Sequence, residues 1–136
     1  MAEHLRRKGI APELVLCSPA RRTRQTLTRI APGLGENVDV QIESKLYAAS
    51  AADLLEVLHG VPDEVESVML VGHNPGIQDL ALILARPGSE SVRVRSKFPT
   101  AALATLELRG SWRELTPGSA ELVSLVKPKE LSRGAK

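Results

Sequence analysis

Two short apolar runs constrain this chain most, because each ends in a turn that leads directly into a helical pattern. Leu14-Val15-Leu16-Cys17 runs into Ser18-Pro19, and Ser67-Val68-Met69-Leu70-Val71 runs into Gly72-His73-Asn74-Pro75-Gly76. A short continuous apolar run, without polar alternation, marks a strand buried on both faces. The segments that follow carry helical spacing. Ala20 to Ala31 places Ala20, Thr23, Leu27, Ile30 and Ala31 on one face. Ala51 to His59 turns Leu54, Leu55 and Leu58 inward and stops at Gly60, and the segment after Gly76 sets Ile77, Leu80, Ala81 and Leu84 on one stripe. Ala2 to Lys8 reads as a helix closed by Gly9. Val38, Val40 and Ile42 alternate as a further strand, and Ala102 to Leu108 with Glu121 to Val126 read as a closing pair around Trp112. Strands alternating with helices predict an α/β domain.

Composition narrows the function classes. Trp112, Tyr47 and Phe98 are the only aromatics, so the core is aliphatic and no platform exists for stacking single-stranded bases. The net charge of +2 is too small to argue for nucleic acid. No apolar run is long enough for a membrane span, and the opening residues MAEHLRRKG lack the apolar centre of a signal peptide. Cys17 is the single cysteine and the three histidines are scattered, so neither an internal disulfide nor zinc-ligand spacing is present. These features point to a cytoplasmic protein without metal. Pro87 to Pro99 reads as a basic loop with Arg93, Arg95 and Lys97.

The two strand-to-helix junctions carry the chemistry. In open α/β sheets ligands sit outside the carboxyl ends of the strands. The first junction, Cys17-Ser18-Pro19-Ala20-Arg21-Arg22, offers a helix N-terminus, with Ser18 as N-cap and Pro19 at the first helical position. Free N–H groups there suit an anion, and the planar forks of nearby arginines match phosphate oxygens. The second offers the imidazole of His73 on a Gly- and Pro-bounded turn. Together they suggest a phosphoryl site. Arg21, Arg22 and Arg24 also fit a solvated helix face, and helical spacing does not choose among them. His73 also fits a helix cap; His4 and His59 read as surface or packing residues, and Cys17 as a small buried hydrophobe. A cysteine phosphatase fails on register, since a Cys-five residues-Arg spacing ends on Thr23. The Gly72–Gly76 turn lacks the Gly-Lys-Ser/Thr ending of a Walker A loop.

These residues resemble a known family. Leu16-Cys17-Ser18-Pro19-Ala20-Arg21-Arg22-Thr23-Arg24-Gln25-Thr26 is similar to one signature of the histidine phosphatase superfamily, and Val71-Gly72-His73-Asn74-Pro75-Gly76 to its later Gly-His signature. Leu46-Tyr47-Ala48-Ala49-Ser50 and Pro99-Thr100-Ala101-Ala102-Leu103 look like the small phosphohistidine phosphatases of the SixA type. The resemblance spans residues 1–131 as one domain and leaves 132–136 as a polar tail. It implies a phosphoglycerate-mutase-like α/β fold, with a mostly parallel sheet and helices on both faces. It also implies a site of two histidines and two arginines around one phosphoryl group, without metal or cofactor. Arg22 then looks like the second phosphate-clamping arginine and His73 like the second histidine, with Ser18 and Asn74 as further substrate-binding candidates. The proton-donating carboxylate of many members has no counterpart at Leu46-Tyr47-Ala48.

One departure stands out. The family opens with a strand ending in Arg-His-Gly, whose histidine becomes phosphorylated, and this sequence contains no Arg-His-Gly. His4 lies in a helical pattern before Gly9 and is no substitute. The resemblance therefore predicts a truncated domain lacking a central strand, expected between the Leu14 and Ser67 strands, together with the nucleophile and one arginine. The function it implies is dephosphorylation of a phosphohistidine on a partner protein, such as a phosphotransfer domain, through a phospho-His intermediate, with this chain inactive alone. The alternatives are a non-catalytic phospho-binding or regulatory module and a small-phosphoester phosphatase of the same superfamily.

Overall fold

The computed structural model of the chain describes residues 1–86, 103–108 and 110–126. The basic loop expected between Pro87 and Pro99 and the polar tail at 132–136 lie outside the described residues. The described elements are α1 (Ala2–Arg7), β1 (Leu14–Cys17), α2 (Arg21–Ile30), β2 (Asp39–Ile42), α3 (Ala51–His59), β3 (Val68–Val71), α4 (Gly76–Leu84), β4 (Leu103–Leu108) and β5 (Ala120–Val126). Strands β2, β1 and β3 form a parallel sheet in that order, and β4 and β5 pair antiparallel as a second sheet.

The apolar run of β1 is buried at every position, and its alternation explains the layers. Leu14 and Leu16 face one way, against Leu54 and Leu58 of α3 and Leu80 and Leu84 of α4. Val15 and Cys17 face the other way, against Leu5 of α1, Ile30 of α2 and Leu34. Successive side chains of a strand point to opposite faces, so this four-residue strand contributes to two cores at once. The result is a parallel sheet with helices on both faces, as the family resemblance implies. Strand β2 is different. Val40 and Ile42 alternate as expected, but they are 43 % and 52 % exposed, because β2 is the edge of its sheet and all four of its residues are exposed.

The strand expected between the Leu14 and Ser67 runs is not there, and no room exists for it. β1 and β3 pair directly, Leu14 with Val68 through Cys17 with Val71. The ladder continues past both ends through Leu14 N–H to Ser67 C=O at 3.2 Å and Ser18 N–H to Val71 C=O at 3.0 Å. The open space lies on the other side of β3. A groove of about 860 Å³ runs between β3 and β4, lined by Val68, Met69, Leu70, Leu103, Ala104 and Leu106 among others. This explains why Val68, Met69 and Leu70 are only half-buried although their run is as apolar as β1. The β4–β5 hairpin reaches the rest of the molecule through α4, where Leu122 packs with Ala81 and Ala85. At the amino end of the sheet the Trp112 indole N–H donates to the Val65 carbonyl at 2.7 Å, and the His59 Nε2 pairs with the Leu115 carbonyl at 2.7 Å.

Helix α1 is too short to persist alone, since isolated helices of this length are marginal in water. Tertiary contacts hold it. Leu5 is fully buried, and the Arg6 guanidinium donates to the Pro32 carbonyl at 3.0 Å. The Ala2 carbonyl occupies the place a side chain at Gly33 would take. Gly33→Ala therefore forces backbone apart, and overpacking of this kind costs about 1–3 kcal/mol. Gly60→Ala is the control, because its Cβ meets only the Val57 carbonyl at 3.6 Å. Urea denaturation should show a lowered midpoint for Gly33→Ala and a midpoint at or slightly above the parent for Gly60→Ala. Equal midpoints for the two variants would refute the close α1 contact.

Candidate active site

The first turn is built around a buried serine. Ser18 is fully inaccessible, and its N–H is the donor to Val71 that ties the end of β1 to the end of β3. Its hydroxyl oxygen accepts the Ala20 N–H at 3.2 Å, and its carbonyl accepts the Thr23 hydroxyl at 2.8 Å. Serine hydroxyls commonly bond to backbone two residues on, and this bond displaces the expected cap. Helix α2 begins at Arg21 with Ala20 as N-cap, not at Pro19 with Ser18 as N-cap, and no side chain caps its first turn. Its leading N–H groups therefore keep their capacity for an outside acceptor, beyond the carboxyl end of β1.

Thr23 is buried, which orients the three arginines. At about 100° per residue, Arg21 lies nearly opposite Thr23, while Arg22 and Arg24 lie on its two flanks. Arg24 stands on the Cys17 side, where its charge acts on the thiol. All three are exposed, and Arg22 makes no ion pair among the described residues. Burial is the dominant influence on Cys17 and pushes its thiol up, against smaller opposing effects of the Thr23 hydroxyl and Arg24. A thiol held protonated is a poor nucleophile, in keeping with the reading of Cys17 as packing.

The second turn leaves β3 at Val71. His73 is half-buried, and its carbonyl accepts the Ile77 N–H at 3.0 Å as α4 begins. Asn74 is exposed and joined to Pro75 by a cis peptide bond. Because β1 and β3 are neighbours in register, the Ser18 turn and the His73 turn stand side by side at one end of the sheet. The other two histidines are elsewhere: His4 on α1, and His59 at the far end of α3 against Leu115. Among the described residues no three His, Cys, Asp or Glu side chains come together as a metal site, and no helix is long and apolar enough to cross a membrane.

A third segment, which includes the SixA-like Leu46-Tyr47-Ala48-Ala49-Ser50 run, flanks this end. After β2 the chain passes Glu43, whose N–H donates to the Cys17 carbonyl at 2.8 Å and whose carboxylate accepts the Lys45 N–H at 3.1 Å. Leu46 is buried, Ala48 adopts a left-handed φ of 52°, and the Ala49 carbonyl sits where a side chain at Gly76 would be. Gly76 was the available signal: glycine at a helix start often marks a close backbone approach. Arginine forks, uncapped helix N–H groups and an imidazole at one sheet end form an arrangement suited to one oxyanion.

No family model matches the chain. It is 35 % identical over 123 residues to an uncharacterized protein of Mycobacterium tuberculosis, covering 88 % of this chain and 75 % of that protein. It is 36 % identical over 128 residues to one of Mycobacterium leprae, covering 92 % and 77 %. A solved structure from Nakamurella multipartitia, assigned as the phosphohistidine phosphatase SixA, superposes with a TM-score of 0.81 at 31 % identity, over 93 % of this chain and 77 % of that one. The chain belongs to the SixA phosphohistidine phosphatases of the histidine phosphatase superfamily. A SixA assigned in Agrobacterium tumefaciens agrees at 27 % identity and a TM-score of 0.69, over 93 % of this chain and 77 % of that one. A protein histidine phosphatase SixA complexed with tungstate shares the fold, with a TM-score of 0.75 at 24 % identity, over 96 % of this chain and 78 % of that one.

For this SixA-family chain, the buried Cys17 thiol should resist a disulfide reagent such as DTNB under native conditions and react promptly in denaturant. Thr23→Val removes the hydroxyl that the Ser18 carbonyl accepts and leaves that carbonyl only the Cys17 S–H at 3.3 Å, and a lost hydrogen bond of this kind costs about 0.5–1.5 kcal/mol. Its unfolding midpoint should fall and Cys17 labelling should speed up. Fast labelling of the folded parent would show that the turn is not closed.

Proposed function

We propose that this chain is the phosphoryl-binding part of a phosphohistidine phosphatase acting on a protein substrate. The observation that supports this most is the juxtaposition of the Arg22 and His73 turns, joined by the Ser18–Val71 hydrogen bond, in a chain of SixA ancestry. In this reading Arg22 holds two phosphoryl oxygens with its fork, and the first N–H groups of α2 donate to the remaining oxygen. His73 donates a hydrogen bond to the same group, and Asn74 borders it. Ser18 is buried and acts through the turn it holds. The reaction breaks the N–P bond of a phosphoimidazole. The phosphoryl group passes to a nucleophilic histidine, the protonated imidazole departs, and water then attacks phosphorus to release phosphate and restore the histidine. Covalent relay of this kind replaces one hard step by two easier ones.

In this reading the nucleophile is the histidine of an Arg-His-Gly, a tripeptide that does not occur among the 136 residues. The groove between β3 and β4 suits the strand that would bring it. Its walls are mostly apolar, it has a strand on each side, and β3 ends at Val71, two residues before His73. A strand running parallel to β3 in that groove would end beside the His73 turn. We therefore assign the bare chain oxyanion binding without turnover, and place phosphatase activity in the form that carries such a strand.

The test uses tungstate, measured by calorimetry, and a phosphohistidine peptide, measured by phosphate release. The bare chain should bind tungstate. A charge-assisted hydrogen bond is worth roughly 1.5–3 kcal/mol, so Arg22→Ala and His73→Ala should each weaken binding about tenfold or more. Arg21→Ala should bind like the parent, and Arg24→Ala nearly so. Phosphate release should stay at background for the bare chain and appear when an apolar strand ending in Arg-His-Gly is fused ahead of residue 1. Robust turnover by the bare chain, or tungstate binding indifferent to Arg22, would overturn the assignment.

A further inference from the structure

Five large apolar side chains are exposed among the described residues: Val40, Ile42, Tyr47, Ile83 and Val123. Three of the five fall within eight residues, on β2 and the loop after it. Tyr47 is the most exposed of all at 64 %, and among the described residues it is an exposed aromatic beside the oxyanion site, whereas Trp112 is bound to Val65 at the opposite end of the sheet. We propose that Tyr47, with Ile42 and Val40, is the surface on which the protein carrying the phosphohistidine docks. This rests on the functional reading above.

The placement argues for that occupant. The C-terminal end of β2 is bonded to the C-terminal end of β1 through Glu43 N–H and the Cys17 carbonyl, one residue before Ser18. On the other flank Ala49, two residues after Tyr47, rests its carbonyl on Gly76, three residues after His73. Tyr47 therefore stands on the rim that joins the two oxyanion-binding turns. A histidine side chain is short, so a protein that inserts its phosphoimidazole between those turns must lay its own surface on this rim. Free phosphate need not touch it.

The mounting of Tyr47 supports the same use. Leu46 before it is 1 % exposed and locked in the core, and Ala48 after it holds a left-handed φ of 52°. Ser50 then starts α3 with a reciprocal capping box to Asp53. An exposed aromatic fixed on both sides by anchored backbone loses little freedom on binding. Tyrosine is also enriched among residues that dominate interfaces. A non-glycine residue in the left-handed region is uncommon and persists only where the surrounding structure holds it.

The experiment compares two probes on the same variants. The first is tungstate, measured by calorimetry. The second is a phosphotransfer domain phosphorylated on histidine with phosphoramidate, captured on a sensor surface. Tyr47→Ala and Ile42→Ser should weaken capture of the phosphorylated domain about tenfold or more and leave tungstate affinity within about twofold of the parent. Tyr47→Phe, which keeps the ring, should retain most of the capture. Parental capture by both Tyr47→Ala and Ile42→Ser would overturn the proposal, as would equal losses of both probes, which would mark the loop as merely structural. Concentration-dependent dimerisation of the parent that Tyr47→Ala abolishes would assign the surface to a second copy instead. Failure of the parent to bind tungstate at all would sink the functional reading itself, and that outcome is distinct from selective loss at Tyr47.

Discussion

The direct pairing of β1 with β3 is the interaction on which the site depends. Four residues of each strand match in register, and the ladder is prolonged by Ser18 N–H to the Val71 carbonyl. That last bond closes a gap no larger than one sheet spacing between two turns that come from distant parts of the sequence. Without it, Arg22 and His73 would belong to separate helix starts. With it, the two turns stand side by side at the carboxyl end of a parallel sheet, where the proposed oxyanion would meet both.

Burial of β1 on two faces holds this pairing in place. Leu14 and Leu16 bind the sheet to α3 and α4, while Val15 and Cys17 bind it to α1, α2 and Leu34. Slipping β1 by one residue would exchange these two sets, and would also move Ser18 away from Val71. The same packing buries Cys17 and pushes its thiol up. On its other side β3 faces the groove toward β4, where its apolar wall is only half-covered. A strand seated there would share the apolar layers that β3 now presents to the groove and would extend toward His73.

Much of this was legible in the residues. Leu14–Cys17 announced a doubly buried strand, Gly9 and Gly60 announced helix ends, and the two turns announced themselves by Ser-Pro and Gly-His-Asn-Pro-Gly. Strand order was less accessible. Local pattern says that a strand is buried on both sides but not which neighbours bury it, so the expectation of a further strand between β1 and β3 fails against their direct pairing. Serine is a common cap, which makes Ser18 the expected N-cap of α2, yet its hydroxyl closes a local turn and the helix starts two residues later than Pro19. Alternation at Val40 and Ile42 correctly indicated a strand but not that it would be an exposed edge. The loop from Tyr47 to Ala49 lies in a SixA-like run but lacks the carboxylate that many members place there. Its importance comes from where Gly76 lets it lie, which is a tertiary fact.

The central claim is that both turns bind one oxyanion. Backbone amide NMR during a tungstate titration tests it most directly. The account predicts that the amides of Arg21 and Arg22 and those of His73 and Gly76 shift together along a single isotherm, with one tungstate bound per chain. Shifts confined to one turn, or two isotherms of different affinity, would contradict it and reduce the pair to separate helix ends.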